Sequence, residues 1–199
     1  MEGQKMGRAI PAIAIIAVVS VVFLGCSQPY MRARNDMFQG RRALDAGDFL
    51  SAEQLFVRAA QAQPSAAAYA FAATAAYNAN DLQNASLFID EAFKVNGKLS
   101  ASPRMLAYKS LVLFRQGRQA EAMDAIDAYL AYGVSYYPIR NAGVIRRMMA
   151  TGPIDLVYLE GLLEYDVRRY ESDMAQWEGE GTGRIALKYG PGVAGVPEK

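Results

Sequence analysis

The chain has 199 residues, with 21 basic and 20 acidic side chains and no histidine. This near-neutral balance argues against a nucleic-acid-binding protein, which would need a strong basic excess. The absence of histidine removes the commonest general base and the commonest metal ligand, and a single cysteine excludes a thiolate metal cluster. The composition therefore favours a non-catalytic protein that holds no metal and no cofactor.

The first 26 residues have the pattern of an export signal. Lys5 and Arg8 precede an unbroken apolar run over residues 9–25, and the only cysteine of the chain, Cys26, follows at once. A basic start, an apolar stretch and small residues at its end are typical of a signal peptide. The run ends in Val-Phe-Leu-Gly-Cys, which resembles the lipobox of bacterial lipoproteins. We predict that residues 1–25 form a lipoprotein signal peptide.

The lipobox resemblance implies a covalent lipid and a location. Cys26 would become the first residue of the mature protein and carry a diacylglycerol and an N-acyl chain. Ser27 is not an acidic residue, so the resemblance implies the periplasmic face of the outer membrane. Two other interpretations of the segment stay open. The first is an ordinary cleaved signal peptide with an incidental cysteine. The second is an uncleaved inner-membrane anchor, because residues 9–26 are near the lower length limit for a membrane-spanning helix.

Residues 26–35 are predicted to be a tether between the lipid and the first helix near Asp36. Ten extended residues reach roughly 30 Å, which keeps the following domain close to the membrane. Arg32, Arg34, Arg41 and Arg42 would then face anionic headgroups or water.

Internal similarity is the next signal in the chain. Three turn residues, Gly47, Asn80 and Gly117, are the types that tolerate a left-handed backbone. Small residues stand seven positions before and five positions after each turn, and a large apolar residue stands nine positions after it. The small pairs are Gly40/Ala52, Ala73/Ala85 and Ser110/Ala122, and the large residues are Phe56, Ile89 and Ile126.

This spacing resembles the tetratricopeptide repeat, a 34-residue pair of antiparallel helices. The resemblance covers residues 36–136 and implies an all-α fold, a right-handed α-solenoid with hairpins over 36–62, 67–95 and 104–132. The first helices of such hairpins line a concave groove for protein partners. Carried over by position, the partner-binding residues would be Arg34, Met37, Arg41, Leu44, Asp45, Thr74, Tyr77, Asn78, Arg104, Leu111, Phe114 and Arg115.

Residues 137–178 are predicted to be C-terminal helices that cap the solenoid. A helix is expected over residues 138–149, and Thr151-Gly152-Pro153 breaks the chain. A longer amphipathic helix over residues 154–177 carries a stripe that fits either the core at the open end or a partner-binding face. Its members are Leu156, Leu159, Leu163, Val167, Tyr170, Met174 and Trp177. Residues 179–199 are rich in glycine and are predicted to be a disordered tail.

Together these features predict a membrane-anchored lipoprotein that acts as a non-catalytic adaptor for envelope proteins or peptides. The alternative is a carboxylate-dependent cell-wall hydrolase, because glycoside cleavage needs only two acids. The candidate pairs are Asp45/Asp48, Asp124/Asp127 and Glu160/Glu164. The sequence leaves the partner and the oligomeric state open.

The lipid assignment is tested by Cys26→Ala. We expect the variant to lose fatty-acid labelling and to accumulate as an unprocessed precursor, because the acylated thiol is required before cleavage. Labelling that persists would overturn the assignment, and a purified wild-type protein that begins at Met1 would establish the uncleaved anchor.

Overall fold

The computed structural model describes residues 10–97 and 101–180, with side chains for residues 28–97 and 101–176. Within those ranges the chain is helical and contains no strand. The helices are α1 (Ile10–Asp45), α2 (Phe49–Ala62), α3 (Ala66–Asn78), α4 (Leu82–Asn96), α5 (Pro103–Arg115), α6 (Gln119–Ser135), α7 (Ala142–Thr151) and α8 (Leu156–Glu180).

The first six helices form the three predicted hairpins, α1–α2, α3–α4 and α5–α6, stacked in chain order. Gly47, Asn80 and Gly117 have φ angles of 78°, 62° and 73°, so all three predicted turn positions adopt the left-handed conformation. In each turn the next N–H bonds back to a carbonyl five residues earlier, as in Asp48 N to Ala43 O at 2.9 Å. These bonds satisfy carbonyls that the ending helix would otherwise leave unpaired. The all-α, solenoid-like architecture is confirmed.

Small side chains let the two helices of each hairpin approach closely. Ala52, Ala85 and Ala122 are completely buried at corresponding positions. The first hairpin is tightest, because a Cβ added at Gly40 would lie 2.7 Å from the ring of Phe56. Close-packed interiors tolerate added volume poorly. The small residues predicted from the repeat therefore set the spacing within the hairpins.

Large side chains fill the space between hairpins. Phe56 stacks on Phe71 of the next hairpin with ring centroids 5.1 Å apart, and Ile89 and Ile126 are buried in the same way. Tyr129 stands where the first two hairpins have Ala59 and Ala92, and it is fully buried. The third hairpin thus replaces a small core residue by an aromatic one.

The first helix begins earlier than the sequence analysis expected. We expected helix from near Asp36, but α1 runs continuously through residues 26–35. Packing explains the extension, because Ala33 is already buried and Asp36 accepts a 3.1 Å hydrogen bond from Arg58 of α2. Ten helical residues span about 15 Å, half the reach of an extended tether.

The two C-terminal helices differ from expectation in their bounds and in their place. Helix α7 begins at Ala142 rather than at Pro138. The stripe of α8 is core, with Leu159, Leu163 and Val167 completely buried. However, α8 packs against α5 and reaches α3 and α1, so it crosses the first helices of all three hairpins rather than closing only the open end.

Several expectations fall outside the described residues. The side chain of Cys26 and that of Trp177 are among these, as is the predicted tail from residue 181 onward. Within the part of the chain whose side chains are described, no helix has both the length and the apolar character needed to cross a membrane.

Two glycine substitutions test the helix spacing. Gly40→Ala forces a methyl group against Phe56, and overpacking costs roughly 1–3 kcal/mol, more than the ~1 kcal/mol gained from helix propensity. Gly161→Ala on α8 meets nothing within 4 Å, so it gains the propensity alone. We expect urea unfolding to show Gly40→Ala less stable, and Gly161→Ala more stable, than the wild type. If both substitutions changed the free energy of unfolding by the same amount and in the same direction, the close packing of α1 against Phe56 of α2 would be contradicted.

Candidate functional site

The first helices of the hairpins, α1, α3 and α5, share one face of the stack, which we call the groove. Helix α8 lies across it. Its apolar side, formed by Leu159, Leu163 and Val167, belongs to the same core cluster as Tyr77 and Leu111. The groove predicted to receive a partner is therefore filled by a helix of the chain itself.

Two carboxylates of α8 accept hydrogen bonds from tyrosines of the groove. Tyr77 of α3 donates to Glu160 at 2.8 Å, and Tyr108 of α5 donates to Glu164 at 2.8 Å. The rings of the two tyrosines pack edge to face at 5.5 Å. Burial, together with the nearby carboxylates, raises the pKa of both phenols. Both tyrosines therefore stay protonated and act as fixed donors.

A third carboxylate of α8 pairs with a buried arginine. Arg104 Nε donates to Glu171 Oε1 at 2.6 Å, and its terminal nitrogens reach Glu171 Oε2 and Thr74 Oγ1, both at 2.9 Å. The guanidinium also lies 4.3 Å from the ring centroid of Phe71. Burial alone would lower the pKa of Arg104, but the hydrogen bond and charge of Glu171, with the charge of Glu164, raise it. Arg104 is the central charged contact of the groove.

The other arginines and the aspartate predicted for the groove lie at its margins. Arg41 lies over Phe71 at 4.5 Å and Arg115 over Tyr77 at 4.5 Å, so each covers an aromatic ring. Asp45 accepts a 3.3 Å hydrogen bond from Arg168 of α8. Arg34 is exposed on α1.

The remaining predicted residues are wholly or partly buried. Thr74 donates to the carbonyl of Ala70 at 3.0 Å and accepts from Arg104. Leu44 and Leu111 are in the core, while Met37 and Phe114 pack at its edge. Asn78 is half-buried at the end of α3. The structure thus brings Thr74, Tyr77, Arg104 and Leu111 together beneath α8.

The acidic pairs considered for a hydrolase have separate environments. Glu160 and Glu164 bind the two tyrosines, and Asp48 accepts the N–H of Ser51 at the start of α2. Asp124 and Asp127 are exposed on α6. In the described ranges, no three histidine, cysteine or acidic side chains are grouped to hold a metal ion.

Sequence reasoning missed the contribution of α8. Tyr108, Glu160, Glu164 and Glu171 were not among the predicted groove residues, although Glu160 and Glu164 were noted as neighbouring acids. The available signal was their spacing, because residues four and eleven positions apart share one side of a helix. The acidic side of α8 lies next to its apolar stripe. This arrangement is expected of a helix that binds in a groove with polar residues along its edges.

A cavity lies on the outer side of α8, which we call the α8 cavity. It has a volume of about 700 Å³ and is lined by Arg140, Asn141, Asp155, Val157, Tyr158, Gly161, Leu162 and Tyr165. Val157 is 83% exposed and the two tyrosines are about half exposed. Arg140 donates to the Tyr165 hydroxyl at 3.3 Å. The α8 cavity therefore combines apolar surface with tyrosine and arginine.

The segment before α7 is tied to α8 beneath this cavity. The N–H of Asn141 donates to Asp166 Oδ2 at 3.1 Å, and its amide donates to the carbonyl of Leu162 at 3.4 Å. Burial raises the pKa of Asp166, although hydrogen bonds to its carboxylate from Asn141 and Arg140 oppose the shift. Oδ1 of Asp166 has no hydrogen-bond partner among the described residues. Asn141 and Leu162, which line the α8 cavity, are thus held in place by partly buried hydrogen bonds.

No protein-family model matches the chain, and no curated protein matches it. The functional argument therefore depends on the residues and on the fold.

The groove contact is tested by a matched pair of charge-neutralising substitutions. Glu171→Gln removes the carboxylate from Arg104, whose side chain is 5% exposed. Glu121→Gln removes the partner of Arg118, which is 48% exposed. Breaking a buried pair costs several kcal/mol, whereas an exposed pair contributes about 0–1 kcal/mol. We expect Glu171→Gln to lower the free energy of unfolding by at least ~2 kcal/mol.

The exposed control should change the free energy of unfolding by less than ~1 kcal/mol. Urea unfolding followed by circular dichroism measures both variants. Similar, small effects for the two would mean that α8 is not fixed in the groove by Arg104.

Proposed function

We propose that the chain is a lipid-anchored protein of the bacterial cell envelope, attached through Cys26 to the periplasmic face of the outer membrane. Its helical domain acts there as a non-catalytic adaptor that gathers envelope proteins or peptides. The sequence from Lys5 to Ser27 supports the anchor and the location. The stacked hairpins support the adaptor role, because such repeats present extended surfaces on a rigid frame.

The observation that carries the adaptor role is the α8 cavity. Protein–protein interfaces are enriched in tyrosine and arginine, and their binding energy is concentrated in a few such residues. Tyr158, Tyr165 and Arg140 provide these residue types around exposed Val157. A partner that covers Val157 and the two tyrosine rings would remove this apolar surface from water, which favours binding.

The groove supports the same proposal in a different way. Tyr77 and Arg104 are buried against α8, so they fix that helix and are not open to a partner in this structure. These contacts hold α8 in place, so the residues on its outer side are fixed in position as well. A binding surface that is already rigid loses less conformational entropy when a partner binds. We therefore place the partner contact on the α8 cavity rather than in the groove.

Site-specific photocrosslinking in intact cells tests the adaptor role. A photoreactive amino acid replaces Tyr158 in the α8 cavity, and the matched control replaces Asp124 on the exposed face of α6. We expect a defined protein adduct from position 158 and none from position 124. Val157→Asp in the same chain should reduce the adduct at least tenfold, because it puts a charge into an apolar contact.

Adducts of equal yield at both positions would contradict a specific partner site. An adduct that is unaffected by Val157→Asp would place the contact elsewhere. The assay reports on the partner alone, since both probes leave Cys26 and its predicted lipid unchanged.

A further inference from the structure

Helix α1 has an outward side that no other described helix covers. Tyr30, Met31 and Phe38 are each more than half exposed on it. Arg34 and Arg42 are exposed on the same helix. At 3.6 residues per turn these five side chains fall within one arc of about 120°. We call this arc the basic-aromatic face.

The arginines of this face lack carboxylate partners among the described residues. The two acids in the described part of α1 are already paired with arginines of other helices. Asp36 binds Arg58 of α2 at 3.1 Å, and Asp45 binds Arg168 of α8 at 3.3 Å. Arg42 lies 5.9 Å from the ring centroid of Phe38, which belongs to the same face. The face therefore presents net positive charge together with large apolar side chains.

A protein surface with this combination is more stable in contact with an anionic bilayer than in water. Exposed apolar side chains enter the boundary between headgroups and acyl chains, while flanking cations bind anionic headgroups. Tyrosine and arginine also favour the interface itself, because each has an apolar stem and a polar end. Phe38 lies seven residues after Met31, so both side chains point the same way.

We propose that the basic-aromatic face of α1 docks on an anionic lipid surface, so that the helix lies along the bilayer. This inference rests on the membrane attachment in the proposed function but not on the adaptor role. Position in the chain supports it, since α1 is continuous through residues 26–35 and the face begins four residues after Cys26. Phe38 lies within about 18 Å of Cys26 along the helix.

The test uses the lipid-anchored protein as purified from membranes and reconstituted in vesicles. A benzophenone amino acid replaces Phe38, and the matched control replaces Val134 on α6. Their native side chains are 59% and 55% exposed. Vesicles contain phosphatidylcholine alone or with about one third phosphatidylglycerol. We expect lipid adducts, identified by mass spectrometry, at position 38 in the anionic vesicles and not at position 134.

The double variant Arg34→Gln/Arg42→Gln should lower the ratio of protein with α1 docked on the bilayer to protein with α1 undocked. The expected decrease is about fivefold for each arginine, or about thirtyfold in total. The control, Arg146→Gln with Arg147→Gln on exposed positions of α7, removes the same charge and should leave the adduct unchanged. High salt should weaken docking, because the Debye length falls to about 3 Å at 1 M.

Three results would overturn the proposal. They are no lipid adduct at position 38, equal adducts in both kinds of vesicle, or adducts that survive the loss of Arg34 and Arg42. A protein adduct in place of a lipid adduct at position 38 in intact cells would also overturn it. None of these outcomes bears on the adduct at Tyr158, so the adaptor role is tested separately.

Discussion

The close approach of two helices within each hairpin is the constraint on which the structure depends. Gly40 faces the Phe56 ring at a distance that leaves no room for a methyl group, and Ala85 and Ala122 are completely buried in the later hairpins. The small residues leave room for bulky ones such as Phe56, which covers Gly40 and also stacks on Phe71 of the next hairpin. The close approach also places α1, α3 and α5 side by side, so that residues far apart in the chain share one groove.

The groove contains a buried charge that must be paired by another part of the chain. Arg104 is held by Thr74 and by the rings around it, and its charge would be costly in that position without a carboxylate. Glu171 provides that carboxylate from α8. The buried leucines of α8 add a non-directional contribution, whereas Tyr77, Tyr108 and Arg104 fix the helix in register. Polar contacts of this kind specify one arrangement among the many that apolar surfaces alone would allow.

The parts of this fold that were predictable from sequence are those set by local geometry. Gly47, Asn80 and Gly117 recur 33 and 37 positions apart and favour a left-handed turn, so the hairpins follow from the pattern of residues alone. The place of α8 does not, because Tyr77 and Glu160 are 83 positions apart and one helical stripe fits several surfaces. The early start of α1 also depends on a distant contact, between Asp36 and Arg58. As a result, the shared face of α1, α3 and α5 could be predicted, but its coverage by α8 could not.

The contacts of α8 also decide how independently the two proposed surfaces act. Its link to α1, between Arg168 and Asp45, is exposed on both sides, and such pairs contribute about 0–1 kcal/mol. Its link to α5, between Arg104 and Glu171, is largely buried. The position of α8, and of the cavity on its outer side, is therefore set by α3 and α5. A change on the basic-aromatic face of α1 is therefore expected to leave Tyr158 and Tyr165 in place, and the proposed anchored adaptor would require this separation.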